Sequence, residues 1–221
     1  MDIKSIQNRL GELCRAYAED AQAVRSLLEQ LNASDAPGYE RDDGGRYPLH
    51  NASERGHLSI MRLLVEDGAD IECETDSGYT PLIMAAWSRN IEAVRLLAEA
   101  GADINAANDE WMSALHWAAK NNDEAMIEFL VGLGADINIG MQESIETPLH
   151  MAFLCNNEAA AVKLVELGAD LDARDINGQT AFDHNVDLEI KMRAKIADEI
   201  SGQLNEVKAT YKHPKPSGMM L

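Results

Sequence analysis

Aromatic side chains are scarce, with three Trp, five Tyr and three Phe making up 5% of 221 positions. A globular enzyme core normally buries more of them, whereas stacked Ala/Leu helices need few. Cysteine occurs three times, at Cys14, Cys73 and Cys155. An odd, scattered set with no Cys-x-x-Cys argues against a disulfide framework or a zinc site and for reduced thiols in a cytoplasmic setting. No apolar run approaches the 18 residues that a membrane span requires. The start, Met1-Asp2-Ile3-Lys4 followed by Arg9, Glu12 and Arg15, holds no apolar signal-peptide core. Basic residues are outnumbered, 19 against 38 acidic ones, for a net charge of −19. A chain of that sign repels phosphate, so direct nucleic-acid binding is disfavoured. Gly-x-Ser-x-Gly, a Walker loop, a dinucleotide fingerprint and His-Glu-x-x-His are all missing.

What is present is repetition. Thr80-Pro81-Leu82 is echoed by Tyr47-Pro48-Leu49, Ser113-Ala114-Leu115, Thr147-Pro148-Leu149 and Thr180-Ala181-Phe182, whose first residues lie 33, 33, 34 and 33 positions apart. A second marker, Gly-Ala-Asp, recurs at Gly68, Gly101, Gly134 and Gly168, each 21 residues after its triplet begins. Chance matches would drift, whereas two markers here hold one period over four units. Within a unit, Thr80 is a good N-cap and Pro81 fits the first helical turn, where its missing N–H goes unused. Leu82, Ala85 and Ala86 make a small-residue stripe. After Arg89-Asn90, Ile91, Val94, Leu96 and Leu97 make the stripe of a second helix, and Gly101 ends it in left-handed geometry.

These triplets, helix pairs and Gly-Ala-Asp ends resemble the ankyrin repeat. The resemblance implies an all-α solenoid of helix-turn-helix units in which each pair buries its apolar face only against its neighbours. The expected organisation is an N-terminal helical cap and connecting loop over 1–43, four repeats over 44–176, a C-terminal capping repeat over 177–201 and a flexible tail over 202–221. Two irregularities stand out. The connection from Gly134 to Thr147 is one residue longer than its equivalents, and Ala161-Val162-Lys163-Leu164 sits one place later than Ala93-Val94-Arg95-Leu96. The second predicts a longer inter-helix turn near Cys155-Asn156-Asn157.

The candidate chemistry is sparse. His50, His116 and His150 recur after the Pro-Leu or Ala-Leu step, but equivalent positions in a stack lie roughly 10 Å apart, too far to share a metal. The resemblance gives such a histidine a structural hydrogen bond between neighbouring turns. Cys155 with His150 is the nearest approach to a nucleophile pair, and it has no third partner. The reading is therefore a non-catalytic protein with no cofactor and no metal.

The resemblance places partner binding on the concave face formed by inter-repeat turn tips and first helices. Tyr79 and Met112 directly precede their triplets there. Trp111 and Ile145 occupy the place that Gly45, Gly78 and Gly178 fill elsewhere, which should reshape the turn and display a large side chain. Trp87 and Leu154 lie seven residues into their units, outward on the first helix, as does Lys120. Trp and Tyr at a surface are enriched in binding hot spots. Trp117, beside Ala118-Ala119, is expected to fill a core gap instead. Asp109 and Glu110 border the same face, with Asp42, Asp43, Asp76 and Glu143 in equivalent turns. The expected partner is thus a protein with a basic surface, with no nucleic acid and no membrane involved, and the chain itself is monomeric. The expected role is a stand-alone inhibitor or adaptor, one concrete form being an immunity protein that neutralises a basic toxin. The alternative is a regulatory binder of a transcription or signalling protein, and an enzyme is a distant third.

Overall fold

The computed structural model describes residues 2–16, 18–33, 39–141 and 144–197. The expected flexible tail at 202–221 lies outside the described residues, as do Glu143 and part of the connecting loop.

Helices follow one another in pairs. The first members are α1 (Ile3–Arg15), α3 (Pro48–Arg55), α5 (Pro81–Trp87), α7 (Ala114–Lys120), α9 (Pro148–Leu154) and α11 (Ala181–His184). Their partners are α2 (Ala21–Ala33), α4 (Leu58–Glu66), α6 (Ile91–Glu99), α8 (Glu124–Gly132) and α10 (Glu158–Glu166), with α12 over 186–197. First helices pack in line, α1 on α3 and so on to α9 on α11. Behind them α2 packs on α4, α4 on α6, and α8 on α10. This is an all-α solenoid. Among the described residues the only strand-like pairings are two isolated bridges, Ala107 with Ser113 and Arg174 with Thr180.

Sequence explains the local geometry. Thr80 accepts the Ile83 N–H and Thr147 accepts the His150 N–H, so both serve as N-caps ahead of a proline in the first turn. Ala85, Ala86, Ala118, Ala119 and Ala152 are fully buried, which lets first helices approach closely, while Ile60, Leu64, Val94, Leu97, Ile127 and Leu164 fill the layer behind them. Gly68, Gly101, Gly134 and Gly168 take φ between 88° and 98°, the left-handed ends that L side chains resist.

Polar side chains lock neighbouring units. Asn90 Nδ2 donates to the Ser53 and Glu54 carbonyls, Asn121 Nδ2 to Trp87, and Asn157 Nδ2 to Ala119 and Lys120. On the other edge, Glu72, Asn105 and Asn138 side-chain oxygens accept the N–H of Asp103, Asp136 and Asp170 at 2.7–2.9 Å. These helix ends and turns thus find hydrogen-bond partners one repeat away.

The longer turn expected at 155–157 is not there. Three residues separate α9 from α10, as three separate α5 from α6, and Asn156 takes the same left-handed φ (56°) as Arg89 (62°) and Asn122 (55°). The shifted Ala-Val-Lys-Leu is a change of composition on a helix of unchanged register, with Ala160 and Ala161 at the buried places of Ala93 and Val94. The extra residue before Thr147 does widen a turn: Met141 N–H donates to the Glu146 carbonyl, whereas the other turns close between Thr75 and Tyr79, Asn108 and Met112, and Asp175 and Gln179.

Candidate functional site: the turn tips and first helices of repeats two to four

The recurring histidines are structural. His50, His116 and His150 are buried, and each Nδ1 accepts the N–H of its own triplet's first residue at 3.1–3.2 Å. Each Nε2 faces a carbonyl of the next turn: Tyr79 at 2.8 Å, Glu146 at 3.1 Å and Gln179 at 3.2 Å. A carbonyl only accepts, so Nε2 carries the proton. Burial pushes His50 and His116 down to about 4, so both are neutral near pH 7. Both nitrogens of His150 are committed, which leaves none to activate Cys155. That thiol is exposed and contacts Met151 Sδ at 3.9 Å. Burial pushes the Cys14 and Cys73 thiols up to about 12, far from a reactive thiolate. No group of three or more His, Cys, Asp or Glu suited to a metal occurs among the described residues.

The face holding the turn tips is different in kind. Trp87 is 38% exposed, Trp111 43%, Ile145 50% and Leu154 47%. Trp111 and Ile145 hold φ of 60° and 58°, where Gly45, Gly78 and Gly178 hold 70° to 75°. A left-handed non-glycine is strained by roughly 1–2 kcal/mol, and a β-branched one is a genuine outlier. The fold therefore keeps large apolar side chains at two tips against a local cost, the pattern associated with functional positions.

Met112 corrects the expectation. It is 3% exposed and belongs to the core. Ser113 bridges to Ala107, and the Met112 N–H is held by Asn108 Oδ1 at 2.9 Å. The left-handed Trp111 sits at the tip of the turn closed between Asn108 and Met112, so its indole is displayed while Met112, at the base of that turn, packs into the core. Tyr79, at the equivalent place, is half-buried. Its ring meets Trp87 at 6.4 Å and Trp117 at 6.2 Å between centroids, and Trp87 meets Trp117 at 5.8 Å. Trp117 is 9% exposed and forms the buried member of this cluster. Beside it, a cleft of about 210 Å³ runs between the tips of the first two turns and the end of α5. It is lined by Arg46, Asp76, Ser77, Tyr79, Met84 and Trp87, among others.

Asp109 and Glu110 are exposed at the tip next to Trp111. Successive tips are tied together: Asp109 N–H donates to the Ser77 carbonyl, and Ile176 N–H to Ser144. Ile176, 65% exposed, extends the apolar row to the next tip. The sequence signal for it was an isoleucine standing where Asp76 and Asp109 stand in other turns, two residues before Gly178.

Comparison with known proteins agrees with this architecture. Family models match as "Ankyrin repeats (3 copies)" over residues 13–108, "Ankyrin repeats (many copies)" over 88–131 and "Ankyrin repeat" over 146–176. Two curated relatives, both from Arabidopsis thaliana, share short segments. Acyl-CoA-binding domain-containing protein 2 is 47% identical over 47 residues, 21% of this chain and 13% of that protein. Serine/threonine-protein kinase VIK is 39% identical over 62 residues, 28% of this chain and 14% of that protein. The chain thus matches only about a seventh of either relative's length, and their activities belong to them. Repeat markers, helix pairs and family models coincide from residue 13 to 176, and the chain belongs to the ankyrin-repeat family, whose members are modules for protein–protein interaction.

Proposed function

We propose that this chain binds a protein partner through the tips and first helices of repeats two to four, and that the partner presents a basic surface. The observation that carries the reading is the row of exposed apolar side chains, Trp87, Trp111, Ile145 and Leu154, two of them held in strained backbone. Scattered apolar residues on a surface are ordinary, but aligned ones rimmed by charge suggest an interface. Asp109 and Glu110 at the rim, within a chain of net charge −19, supply the complementary field. Tyr79, half-buried beside Trp87, supports the floor of the same face. The role that fits is an inhibitor that occludes its partner, acting as a monomer in the cytoplasm.

The reading is tested by affinity capture with the intact chain and with a Trp111→Ala/Leu154→Ala double variant, followed by assay of the captured protein. The expected result is a basic protein held by the first, lost by the second, and inactive while bound. Equal capture by the ridge variant would place the binding face elsewhere. Retained activity of the bound partner would make the chain an adaptor.

A further inference from the structure

Ring faces on this solenoid are generally covered by the chain's own cations. Arg41 lies over Tyr47 at 5.0 Å, Arg95 over Phe129 at 4.4 Å, Lys120 over Trp117 at 4.4 Å and Arg193 over Phe182 at 5.1 Å. Two further rings are accounted for otherwise. Phe153 is buried in the core, and the Tyr39 hydroxyl donates to Asp67 at 2.6 Å. Among the described residues, the aromatic side chains left without a cation are Tyr79, Trp87 and Trp111, all on one face.

The charges around those rings are arranged in the same sense. The cleft beside Tyr79 and Trp87 has Arg46 in one wall, but Glu54 neutralises it at 2.7 Å, and Asp76 on the rim is paired with Arg41 at 2.6 Å. Asp109 and Glu110 have no ion pair among the described residues. Glu110 is near enough to Tyr79 that, after burial, its charge is what holds the Tyr79 hydroxyl above its ordinary value. Two cation-free rings, Tyr79 and Trp87, therefore line a cleft of about 210 Å³, and the neighbouring tip that carries Asp109, Glu110 and Trp111 is tied to Ser77 in its wall by the Asp109 N–H.

We infer that this cleft is a receptor for an arginine side chain of the partner, whose guanidinium stacks on Trp87 and Tyr79 and donates to Glu110. The inference rests on the reading of this face as the partner-binding surface and specifies what the basic partner inserts there. Guanidinium suits the site better than ammonium. It is planar and weakly hydrated, so it can lie on a ring while its edge N–H groups remain in plane for a carboxylate. An ammonium must shed more water to make either contact. Three of the four cation–ring pairs among the described residues also use arginine.

The test titrates the full chain, with its tryptophan indole N–H signals resolved by NMR, against three capped tripeptides, acetyl-Gly-X-Gly-amide with X as arginine, lysine or norleucine. The arginine peptide should shift the Trp87 indole signal saturably, with a dissociation constant at least threefold below that of the lysine peptide, and norleucine should give no saturable shift. Glu110→Gln should weaken the arginine peptide at least twofold, while Glu128→Gln, exposed on α8, should leave it unchanged. In Trp87→Leu, which keeps apolar bulk, the arginine preference read at the Trp117 indole should vanish. Lysine binding as tightly as arginine, norleucine binding as tightly as either, or no shift at Trp87 would each overturn the inference. If the ridge double variant loses its partner while arginine shows no preference, the binding face stands and this inference alone falls. If arginine binds as stated while the ridge variant keeps its partner, the placing of the partner falls instead.

Discussion

At Trp111 and Ile145 the backbone adopts a conformation that glycine takes freely, and the chain puts its bulkiest choices there. Substituting glycine at either position removes roughly 1–2 kcal/mol of left-handed strain and adds back about 0.5–1 kcal/mol of unfolded-state entropy. Trp111→Gly and Ile145→Gly should therefore leave the melting temperature unchanged or slightly higher, while Trp111→Gly weakens partner binding by a hot-spot magnitude of roughly 2 kcal/mol or more. Calorimetry beside a binding titration reads both, and a large fall in melting temperature would make Trp111 structural. Leu97 is the contrast. It is fully buried in α6, and Leu97→Ala should cost roughly 2–5 kcal/mol of stability with no direct effect on binding.

The buried histidines set a pH dependence at the same scale. An unfolded histidine titrates near 6.5, and burial holds His50 and His116 down to about 4. As pH falls the unfolded chain takes up these protons first. Stability is therefore full above about 6.5, is lost between about 6.5 and 4, and changes no further from this source below that. Urea midpoints should fall between pH 7 and pH 4.5. A flat profile over that range would show that these imidazoles are not buried neutral.

At the scale of elements, what could be read from the chain and what could not divide along physical lines. Pro81, Thr80 and Gly101 act within one turn of their own sequence positions, so helix starts and ends were legible at once. The loss of the tip glycine at Trp111 and Ile145 was legible for the same reason. The burial of Met112 was not, because it depends on how the turn closed between Asn108 and Met112 seats against the neighbouring repeats. Nor was the unchanged turn at 155–157, since alanines at 159–161 let the apolar pattern be aligned in two registers while the chain length fits only one. Ile176 lay in a turn whose glycine was intact, so its one mark was an isoleucine at the place of Asp76 and Asp109, and its exposure depended on the tip's position in the stack. Helix pairs in a stack depend on their neighbours. Removing 177–221 takes away Ala181, Leu188 and Met192, which are buried at the C-terminal end. That truncation should lower the melting temperature or solubility clearly, and thermal unfolding of the purified fragment checks it. Unchanged melting would mean that repeat four needs no cover.

At the scale of the whole molecule, charge acts before contact. With 38 acidic residues against 19 basic ones, the field reaches an approaching basic partner over about 8 Å at physiological ionic strength. Steering works on encounter, so the association rate should fall about tenfold or more from low to high salt while dissociation changes little. Asp109→Lys with Glu110→Lys should reproduce part of that fall at low salt. A salt-independent association rate would return the acidity to a solubility role.

The central claim is that one face, the tips and first helices of repeats two to four, receives the partner. Hydrogen exchange of the chain with and without the captured partner measures this directly. The account predicts slowed exchange in the turns around Asp76–Tyr79, Asp109–Met112 and Ser144–Glu146 and at the ends of α5, α7 and α9, with α4, α6, α8 and α10 unchanged. Slowed exchange confined to those second helices, with the tips unaffected, would contradict it.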